Sequence, residues 1–354
     1  MMNHYVLKDR ETGTIVAADF DKVFSTETYE VFFNTESGLE VLRGRQEHPD
    51  PFTTELPLLL DIGVMGTCNN RCNFCYQGDI QEPDMTLENF KLIIDQVKHH
   101  VNQVALGGRG DPNKHEQFEE IVTYARENNV VPNYTTSGNN ITAREIEISK
   151  MCGAVAVSDY GNVHTYDAIQ LLMDAGIKTN IHLIFSAATY QKCVMILYGH
   201  NPWKSRLQRG EREFFDLKKL NAVIFLLFKP QGRGADCTDL TPNKLQIKTI
   251  SDLILNSKNQ VSIGMDSCLA NHVFKNTDVP DIHKLTLDSC EGSRMSAYIT
   301  HSMQMMPCSY ANGIDYAQDI TEKRDISYIW NRSMKFKKFR SVLKKNCFSC
   351  PAGF

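Results

Sequence analysis

Short apolar runs alternate with amphipathic stretches along the middle of the chain. Runs rich in β-branched and aromatic residues predict six strands, at 56–65, 103–107, 130–136, 154–158, 178–185 and 222–228. Apolar residues three and four apart predict helices between them, at 86–100, 114–128, 142–151 and 164–175, with a longer, partly helical stretch at 189–220. Thr86 and the capping box Thr142–Glu145 mark two helix starts. This alternation predicts a parallel sheet, either doubly wound or an open barrel.

The segments on either side of this region follow a different pattern. Residues 29–42 alternate around a Glu-Ser-Gly turn, which predicts a β-hairpin in an N-terminal extension over 1–55. That extension caps the main domain or offers an edge strand to a substrate, and its short length favours the cap. After residue 230 we expect a helix at 243–256, a strand at 260–265, a hairpin at 296–306 and a helix at 326–343. The predicted domains are therefore 1–55, 56–230 and 231–354.

Composition places the chain among globular proteins with a substantial core. It has 354 residues, 42% of them hydrophobic and 23% charged, and a formal net charge of -4. This charge gives no reason to expect nucleic acid or an acidic membrane as a partner. No apolar run is long enough to span a membrane and the N-terminus does not resemble a signal peptide, so we expect a cytoplasmic protein. The 11 cysteines are clustered, which favours metal ligands over disulfides.

Three of these cysteines, Cys68, Cys72 and Cys75, fall within eight residues directly after the first strand. Structural zinc sites and iron–sulfur clusters normally take four protein ligands, so three on one loop suggest a site that keeps a position open. A glycine-rich turn, Gly107-Gly-Arg-Gly-Asp-Pro112, follows the second strand. Its glycines either let the backbone approach a ligand closely or only form a turn from strand to helix. No GxGxxG motif follows the first strand, which argues against a dinucleotide-binding fold.

Together the two motifs resemble the radical S-adenosylmethionine (radical SAM) superfamily over residues 56–230. The spacing Cys-x3-Cys-x2-Cys matches the family's cluster loop, with the usual aromatic residue, Phe74, before the third cysteine. The second motif of the family typically reads Gly-Gly-Glu-Pro or Gly-Gly-x-Gly-Glu-Pro, and here Asp111 replaces the glutamate. The resemblance implies an α/β fold, a partial (β/α)6 TIM-type barrel, followed by a small C-terminal α+β iron–sulfur domain.

The resemblance also implies the cofactors and their contacts. Cys68, Cys72 and Cys75 would bind a [4Fe–4S] cluster whose fourth iron is chelated by S-adenosylmethionine. An external one-electron reductant, such as flavodoxin or ferredoxin, would start its cleavage to a 5′-deoxyadenosyl radical that abstracts a substrate hydrogen atom. The implied SAM-binding residues lie on loops after the strands and are Phe74, Tyr76, Gly107, Gly108, Asp111, Pro112, Ser137, Ser158, Lys229 and Arg233. Of these, Lys229 or Arg233 would pair with the SAM carboxylate. An ordinary cap or turn role is as good an explanation for either serine.

A second group of cysteines, Cys290, Cys308, Cys347 and Cys350, provides enough thiols for another cluster or for a structural zinc ion. Their spacing resembles the Twitch domain, the shortened form of the SPASM domain, which binds one auxiliary [4Fe–4S] cluster. Met303 stands where that pattern has a glycine, and the further cysteines of a full SPASM domain are absent from the sequence. One auxiliary cluster is therefore expected.

Three residues are candidates for catalysis. Cys268 follows a predicted strand and could replace an auxiliary ligand or donate a hydrogen atom, although a purely structural role is slightly favoured. Asp159 and Tyr160 follow the fourth strand and are expected to face the cavity.

The leading functional hypothesis is a radical SAM enzyme that modifies a peptide or protein side chain. A radical SAM dehydrogenase of a small-molecule alcohol is the alternative within the same class. A zinc-stabilised binding module without radical chemistry is the alternative from another class.

Overall fold

The computed structural model describes residues 2–9, 13–79, 81–203, 216–256, 261–280, 283, 287–311, 313–321, 323–346, 348 and 350–353. Part of the predicted stretch 189–220, the predicted strand residue Gln260 and the candidate ligand Cys347 lie outside these ranges. Among the described residues, no helix has both the length and the apolar character needed to cross a membrane.

Each of the six predicted strands is present, with ends that differ by at most a few residues. They are β6 (Leu59–Met65), β7 (Gln103–Gly108), β8 (Val131–Thr136), β9 (Val155–Ser158), β10 (Thr179–Phe185) and β11 (Ala222–Leu227). The helices between them are α1 (Leu87–Val97), α2 (Phe118–Glu127), α3 (Ala143–Ser149), α4 (Val163–Asp174) and α5 (Tyr190–Leu197). Thr86 caps α1, and the predicted capping box of Thr142 and Glu145 is formed at α3. All six strands pair in parallel in chain order, which confirms the barrel-type α/β fold.

The parallel sheet continues beyond the six predicted strands. Strand β12 (Ser262–Met265) adds in parallel to β11, and β13 (Ser296–Ile299) adds in parallel to β6 at the other edge. Two antiparallel strands, β14 (Gln304–Met306) and β15 (Gln318–Asp319), then complete a ten-stranded sheet. Residues 231–354 therefore extend the barrel sheet on both sides. The sheet continues across the domain boundary predicted at residue 230.

The helices after residue 230 pack around this sheet. They are α6 (Lys244–Asn256), α7 (Ser267–Asn276), α8 (Gly313–Tyr316), α9 (Ile326–Arg332) and α10 (Met334–Lys345). The single helix predicted over 326–343 is divided at Ser333, whose backbone is extended and whose hydroxyl accepts a hydrogen bond from the Lys335 amide at 3.2 Å. Cys268 lies inside α7, whereas the sequence predicts only that it follows a strand.

The N-terminal extension consists of two small antiparallel sheets. Strands β1 (Asn3–Lys8) and β2 (Ile15–Phe20) form one; β3 (Lys22–Ser25), β4 (Tyr29–Phe33) and β5 (Glu40–Gly44) form the other, including the predicted hairpin. Lys22 donates from Nζ to the Val101 carbonyl at 2.7 Å, and the Asn102 amide donates to Glu40 Oε2 at 2.6 Å. Both contacts precede β7, so the extension covers the N-terminal edge of the barrel, opposite the cysteine loop.

Candidate functional site

A cavity of about 570 Å³ opens at the C-terminal ends of the parallel strands. Cysteines from both predicted groups line this cavity, together with Cys268, and the full set is Cys68, Cys72, Cys75, Cys268, Cys290, Cys308 and Cys350. The fold thus brings thiols that are more than 200 residues apart in the sequence to one space. That arrangement was not predictable from either motif alone.

The three-cysteine loop is held by side chains from its own flanking sequence. The Asp84 carboxylate accepts hydrogen bonds from the backbone amides of Gly66 at 2.7 Å and Thr67 at 3.2 Å. The Gln81 amide both donates to the Cys68 carbonyl and accepts from the Cys68 amide, each at 3.1 Å. The loop backbone is therefore fixed by protein contacts, and the cysteine thiols are left to face the cavity.

The loop after β11 packs directly on the cysteine loop. Arg233 donates from Nε to the Cys72 carbonyl at 2.8 Å and forms an ion pair with Asp79. A β-carbon at Gly232 would lie 2.4 Å from the Tyr76 carbonyl oxygen, so only glycine permits this approach. Arg233, predicted to pair with the SAM carboxylate, is thus engaged by the cysteine loop itself in this structure.

The glycine turn after β7 meets the cavity in two different ways. A β-carbon at Gly107 would have no atom within 4 Å, so this backbone faces open space beside the cysteine loop. Gly108 has a φ of +86°, and a β-carbon there would lie 2.6 Å from the Tyr298 hydroxyl oxygen. Gly107 leaves room for a ligand against the backbone, whereas Gly108 is required by the conformation of the turn and by Tyr298.

Asp111 connects the ends of β7 and β8. Its carboxylate accepts a hydrogen bond from the Ser137 amide at 2.8 Å and another from the Ser137 hydroxyl. Burial raises the pKa of Asp111, and the Ser137 hydrogen bonds oppose that rise. Pro112 opens a short 3-10 helix directly after it. Ser137, predicted as a SAM contact, is buried and bonded to Asp111, and it does not line the cavity.

Aromatic rings from both sides of the cavity cover the cysteine loop. Phe74 stacks on Tyr160 with ring centroids 5.8 Å apart, and Tyr76 contacts Tyr310 at 4.6 Å. Burial raises the pKa of Cys72, and a hydrogen bond with Tyr160 opposes that rise. Tyr160 therefore contacts the cysteine loop, as expected of a residue that faces the cavity.

Asp159 reaches the same region but is already engaged. Its carboxylate forms an ion pair with Lys192, accepts from Trp203 Nε1 at 3.0 Å and accepts from the Tyr166 hydroxyl at 3.3 Å. Only 1% of its side chain is exposed. These contacts hold Asp159 in place in the cavity wall, and its predicted catalytic role stays a prediction. Ser158, the preceding residue, lines the cavity at the end of β9.

Lys229 is buried at the end of β11 and pairs with Asp266. Its ammonium also donates to the Leu227 carbonyl at 2.9 Å and lies 4.2 Å from the Tyr310 ring centroid. Burial opposes the charge, but Asp266 and Tyr310 outweigh it and raise the pKa of Lys229 well above its usual value. A SAM carboxylate, the partner predicted for Lys229, would have to compete with Asp266.

The distal cysteines occupy the opposite wall of the cavity. Burial raises the pKa of Cys290 to about 11 and that of Cys308 to about 12, and the neighbouring Cys350 thiol adds to both shifts. Metal binding would offset this cost, because a metal stabilises thiolates. Burial also raises the pKa of Cys268, with Cys308 and Cys350 among the charges that act on it. Cys268 therefore lies beside the distal cysteines.

Across the described ranges, no three His, Cys, Asp or Glu side chains converge closely enough to hold one metal ion. A single zinc ion requires such convergence, since its ligands share one centre. In a four-iron cluster each cysteine binds a different iron, so the thiols need only surround a common space. The described cysteines of both groups line one cavity, which is the arrangement that a cluster would use.

Sequence reasoning missed two acidic residues of the cavity, Asp61 and Glu291. Burial raises the pKa of Asp61 to about 6. Burial, with the negative charges of Asp288, Glu40 and Asp61, raises the pKa of Glu291 to about 7. A sequence signal existed for Asp61, because it is the only charged residue of strand β6. Glu291 follows Cys290 directly but had no comparable signal.

Comparisons with known proteins agree with this geometry. No protein-family model matches the chain. The AdoMet-dependent heme synthase of Nitratidesulfovibrio vulgaris is 22% identical over 78% of this chain and 80% of its own length. The mycofactocin maturase MftC of Mycolicibacterium smegmatis is 23% identical over 84% of this chain and 76% of its own length. The structure of Streptococcus suis SuiB bound to S-adenosylmethionine superposes with a TM-score of 0.62, at 15% identity, over 84% of this chain and 71% of SuiB.

The parallel α/β barrel sheet carries the three-cysteine loop and an open glycine backbone at the same strand ends, with room for a cluster and a small cofactor side by side. The chain is similar in sequence and fold to radical SAM enzymes. It is a radical SAM enzyme, and its cofactors are a [4Fe–4S] cluster and S-adenosylmethionine.

Proposed function

We propose that the chain is a radical SAM maturase that modifies a side chain of a peptide or protein. The observation that carries this proposal is that both groups of cysteines line one cavity of about 570 Å³. A peptide substrate is supported by two of the relatives. One is named a mycofactocin maturase, and SuiB has been crystallised with its precursor peptide SuiA.

In this proposal Cys68, Cys72 and Cys75 hold the cluster, and the open backbone at Gly107 lies beside SAM. Three thiolates on one loop leave one iron without a protein ligand, which suits a chelating substrate. When bound, the cluster and SAM supply a 5′-deoxyadenosyl radical that abstracts a hydrogen atom from the substrate.

The chain's own residues position these groups and enclose the reaction. Arg233 and Asp79 fix the cysteine loop, and Asp111 with Ser137 fixes the ends of β7 and β8. The Phe74–Tyr160 stack forms part of the wall over that loop. Such a wall excludes water and competing hydrogen donors from a reactive radical.

A second site in the same cavity would hold the auxiliary [4Fe–4S] cluster. Its ligands in this proposal are Cys290, Cys308, Cys347 and Cys350, in a Twitch-like segment that follows residue 230. The neighbouring positions of Cys290, Cys308 and Cys350 support this set. Cys268 lies at its border, either as an alternative ligand or as a thiol that faces the substrate.

The proposal also includes the partners and the location of the enzyme. An external reductant such as flavodoxin or ferredoxin would supply one electron at a time. The net charge of -4 supports a substrate other than nucleic acid. A cytoplasmic location would suit thiols that must remain reduced.

Anaerobic reconstitution tests the proposal. We expect roughly eight irons per chain from two four-iron clusters, and 5′-deoxyadenosine after addition of SAM and dithionite. Peptides encoded beside the gene would then be incubated with the enzyme, and their masses recorded. A mass change in one of them is the expected result. A protein that holds zinc, lacks labile sulfide and does not cleave SAM would refute the enzyme, whereas SAM cleavage with oxidation of an added alcohol would refute the peptide substrate.

Two cysteine variants separate the proposed sites. Cys72→Ala should abolish 5′-deoxyadenosine formation, because it removes a ligand of the SAM-binding cluster. Cys308→Ala should lose about half of the iron while SAM binding persists, because each cluster carries four irons. Loss of both clusters from Cys308→Ala would contradict two separate sites.

A further inference from the structure

Asp61 is a charged residue on an otherwise apolar strand. Its neighbours Leu60 and Ile62 are fully buried against the helices, and Asp61 points to the other face of β6, into the cavity. Within the described ranges its carboxyl group has no hydrogen bond and no ion pair. A carboxylate that lines a cavity without a partner among the described residues is available to a cation that enters the cavity.

Glu291 is a second carboxyl group of this kind on the neighbouring part of the wall. It lies in the turn before β13, whose residues Ser296 and Tyr298 pair with Leu59 and Asp61 of β6. Like Asp61 it lines the cavity, and no described residue forms a hydrogen bond or ion pair with its side chain. The Ser296 amide donates to the Glu291 carbonyl at 3.2 Å, and Ser296 pairs with Leu59, two residues before Asp61, so the two acidic residues lie on adjoining parts of one wall.

Among the described residues, the three lysine and arginine side chains that line the cavity are engaged elsewhere. Lys229 pairs with Asp266, and Arg233 pairs with Asp79. Arg109 donates to the carbonyl oxygens of Gln77 at 3.1 Å and Gly78 at 3.4 Å. Each of the three cationic side chains therefore already has a partner, and the wall that contains Asp61 and Glu291 has an excess of negative charge.

We propose that Asp61 and Glu291 bind a cationic group of the substrate, an ammonium or guanidinium group such as that of a lysine or arginine side chain. This inference rests on the proposed function, since it assigns the substrate class of the same cavity. A cation placed between the two carboxyl groups satisfies both, and an uncharged side chain of the same length leaves both unpaired. The charge pattern of the wall thus selects the substrate residue.

The sulfonium of SAM is the other cation that could approach this wall. The glycine backbone and the cysteine loop that border the SAM position lie at the C-terminal ends of the strands. Asp61 precedes Gly63 by two residues on β6, so it lies further from those ends and deeper in the barrel. The deeper position favours the substrate, and the experiment distinguishes the two sources of charge.

Calorimetry on the reconstituted enzyme with SAM bound tests the proposal without turnover. The probes are the tripeptides acetyl-Gly-Lys-Gly-amide and acetyl-Gly-norleucine-Gly-amide, which differ in the ammonium group. We expect the lysine peptide to bind about tenfold more tightly to the unaltered enzyme, the effect of one desolvated charge pair. Asp61→Asn should reduce this preference to about threefold or less, while Glu120→Gln, an exposed acid on α2, should leave it unchanged.

Equal binding of the two peptides to the unaltered enzyme would overturn the proposal, and this comparison needs no variant. A lysine preference that survives both Asp61→Asn and Glu291→Gln would also overturn it, as would an Asp61→Asn variant that binds SAM more weakly. Iron content and circular dichroism check that each variant is folded. Failure of the proposed function is measured separately, as the absence of 5′-deoxyadenosine from the enzyme with dithionite.

Discussion

The Lys229 ammonium and the Asp266 carboxylate form a buried ion pair between the ends of β11 and β12. Asp266 also caps α7 by accepting a hydrogen bond from the Leu269 amide at 2.8 Å, and Lys229 lies over the ring of Tyr310. One pair of charges therefore joins the barrel, the helix that carries Cys268 and the segment that follows Cys308. These segments border the two groups of cysteines in the cavity wall.

Removal of one partner of this pair should destabilise the protein strongly. Lys229→Met leaves Asp266 as an uncompensated charge in a buried place, which costs about 3–5 kcal/mol. Lys248→Met is the matched control, because Lys248 pairs with Asp252 on the exposed face of α6 and its loss costs about 0.5 kcal/mol or less. Denaturant unfolding of the two variants measures the difference. Equal costs would mean that Asp266 is solvated without Lys229.

Alanine at the two glycines after β7 should give opposite results. Gly107→Ala meets no atom, so the fold should be retained, but the methyl group enters the space assigned to SAM and should weaken SAM binding. Gly108→Ala should destabilise the protein by about 1–2 kcal/mol from its left-handed φ alone, with the Tyr298 contact adding to this. Thermal unfolding and equilibrium SAM binding report the two effects. Unchanged SAM affinity in a folded Gly107→Ala variant would place SAM elsewhere.

Met303 occupies the glycine position of the Twitch pattern and has the conformation that favours glycine, with a φ of +62°. It lies in the turn between β13 and β14, and the Ile320 amide donates to its carbonyl at 2.9 Å. Met303→Gly should therefore be more stable than Met303→Ala by about 1 kcal/mol, because both lose the side chain and only alanine keeps the strain. Free energies of unfolding test this order. A more stable alanine variant would contradict the left-handed turn.

Asp61 should make the stability of the chain depend on pH. Its pKa is about 6 in the folded protein and 3.8 in the unfolded chain, so between these values only the folded state holds the proton. Stability from this group is present below 3.8 and is lost as pH rises through 6. Asp61→Asn should thus stabilise the protein by up to about 3 kcal/mol near pH 8, and by less near pH 5. Thermal unfolding of Asp61→Asn at both pH values tests this dependence, with Glu120→Gln as the control. A stabilisation that is the same at both pH values would exclude titration of Asp61 as its cause.

The sequence alone determined most of the barrel. Each predicted strand is a short apolar run, and two of the helices carry a local start signal, Thr86 and the Thr142–Glu145 capping box. These signals depend only on residues a few positions apart, so they can be read without the fold. The same holds for Cys68, Cys72 and Cys75, whose spacing on one loop predicts a metal site with an open position, and whose resemblance to the radical SAM loop implies a cluster.

The tertiary structure decided which distant residues meet. Long-range strand order places β12 and β13 in the barrel sheet. It also brings Lys229 to Asp266, and Arg233 to the cysteine loop. The sequence suggests that Lys229 and Arg233 are available to bind SAM, because it does not show which carboxylates they pair with in the folded chain. Asp61 and Glu291 show the converse, since only the folded cavity wall reveals that neither has a partner among the residues that the structure describes. Local patterns thus specify elements and ligand loops, and the packing of elements decides which charges remain available to a substrate.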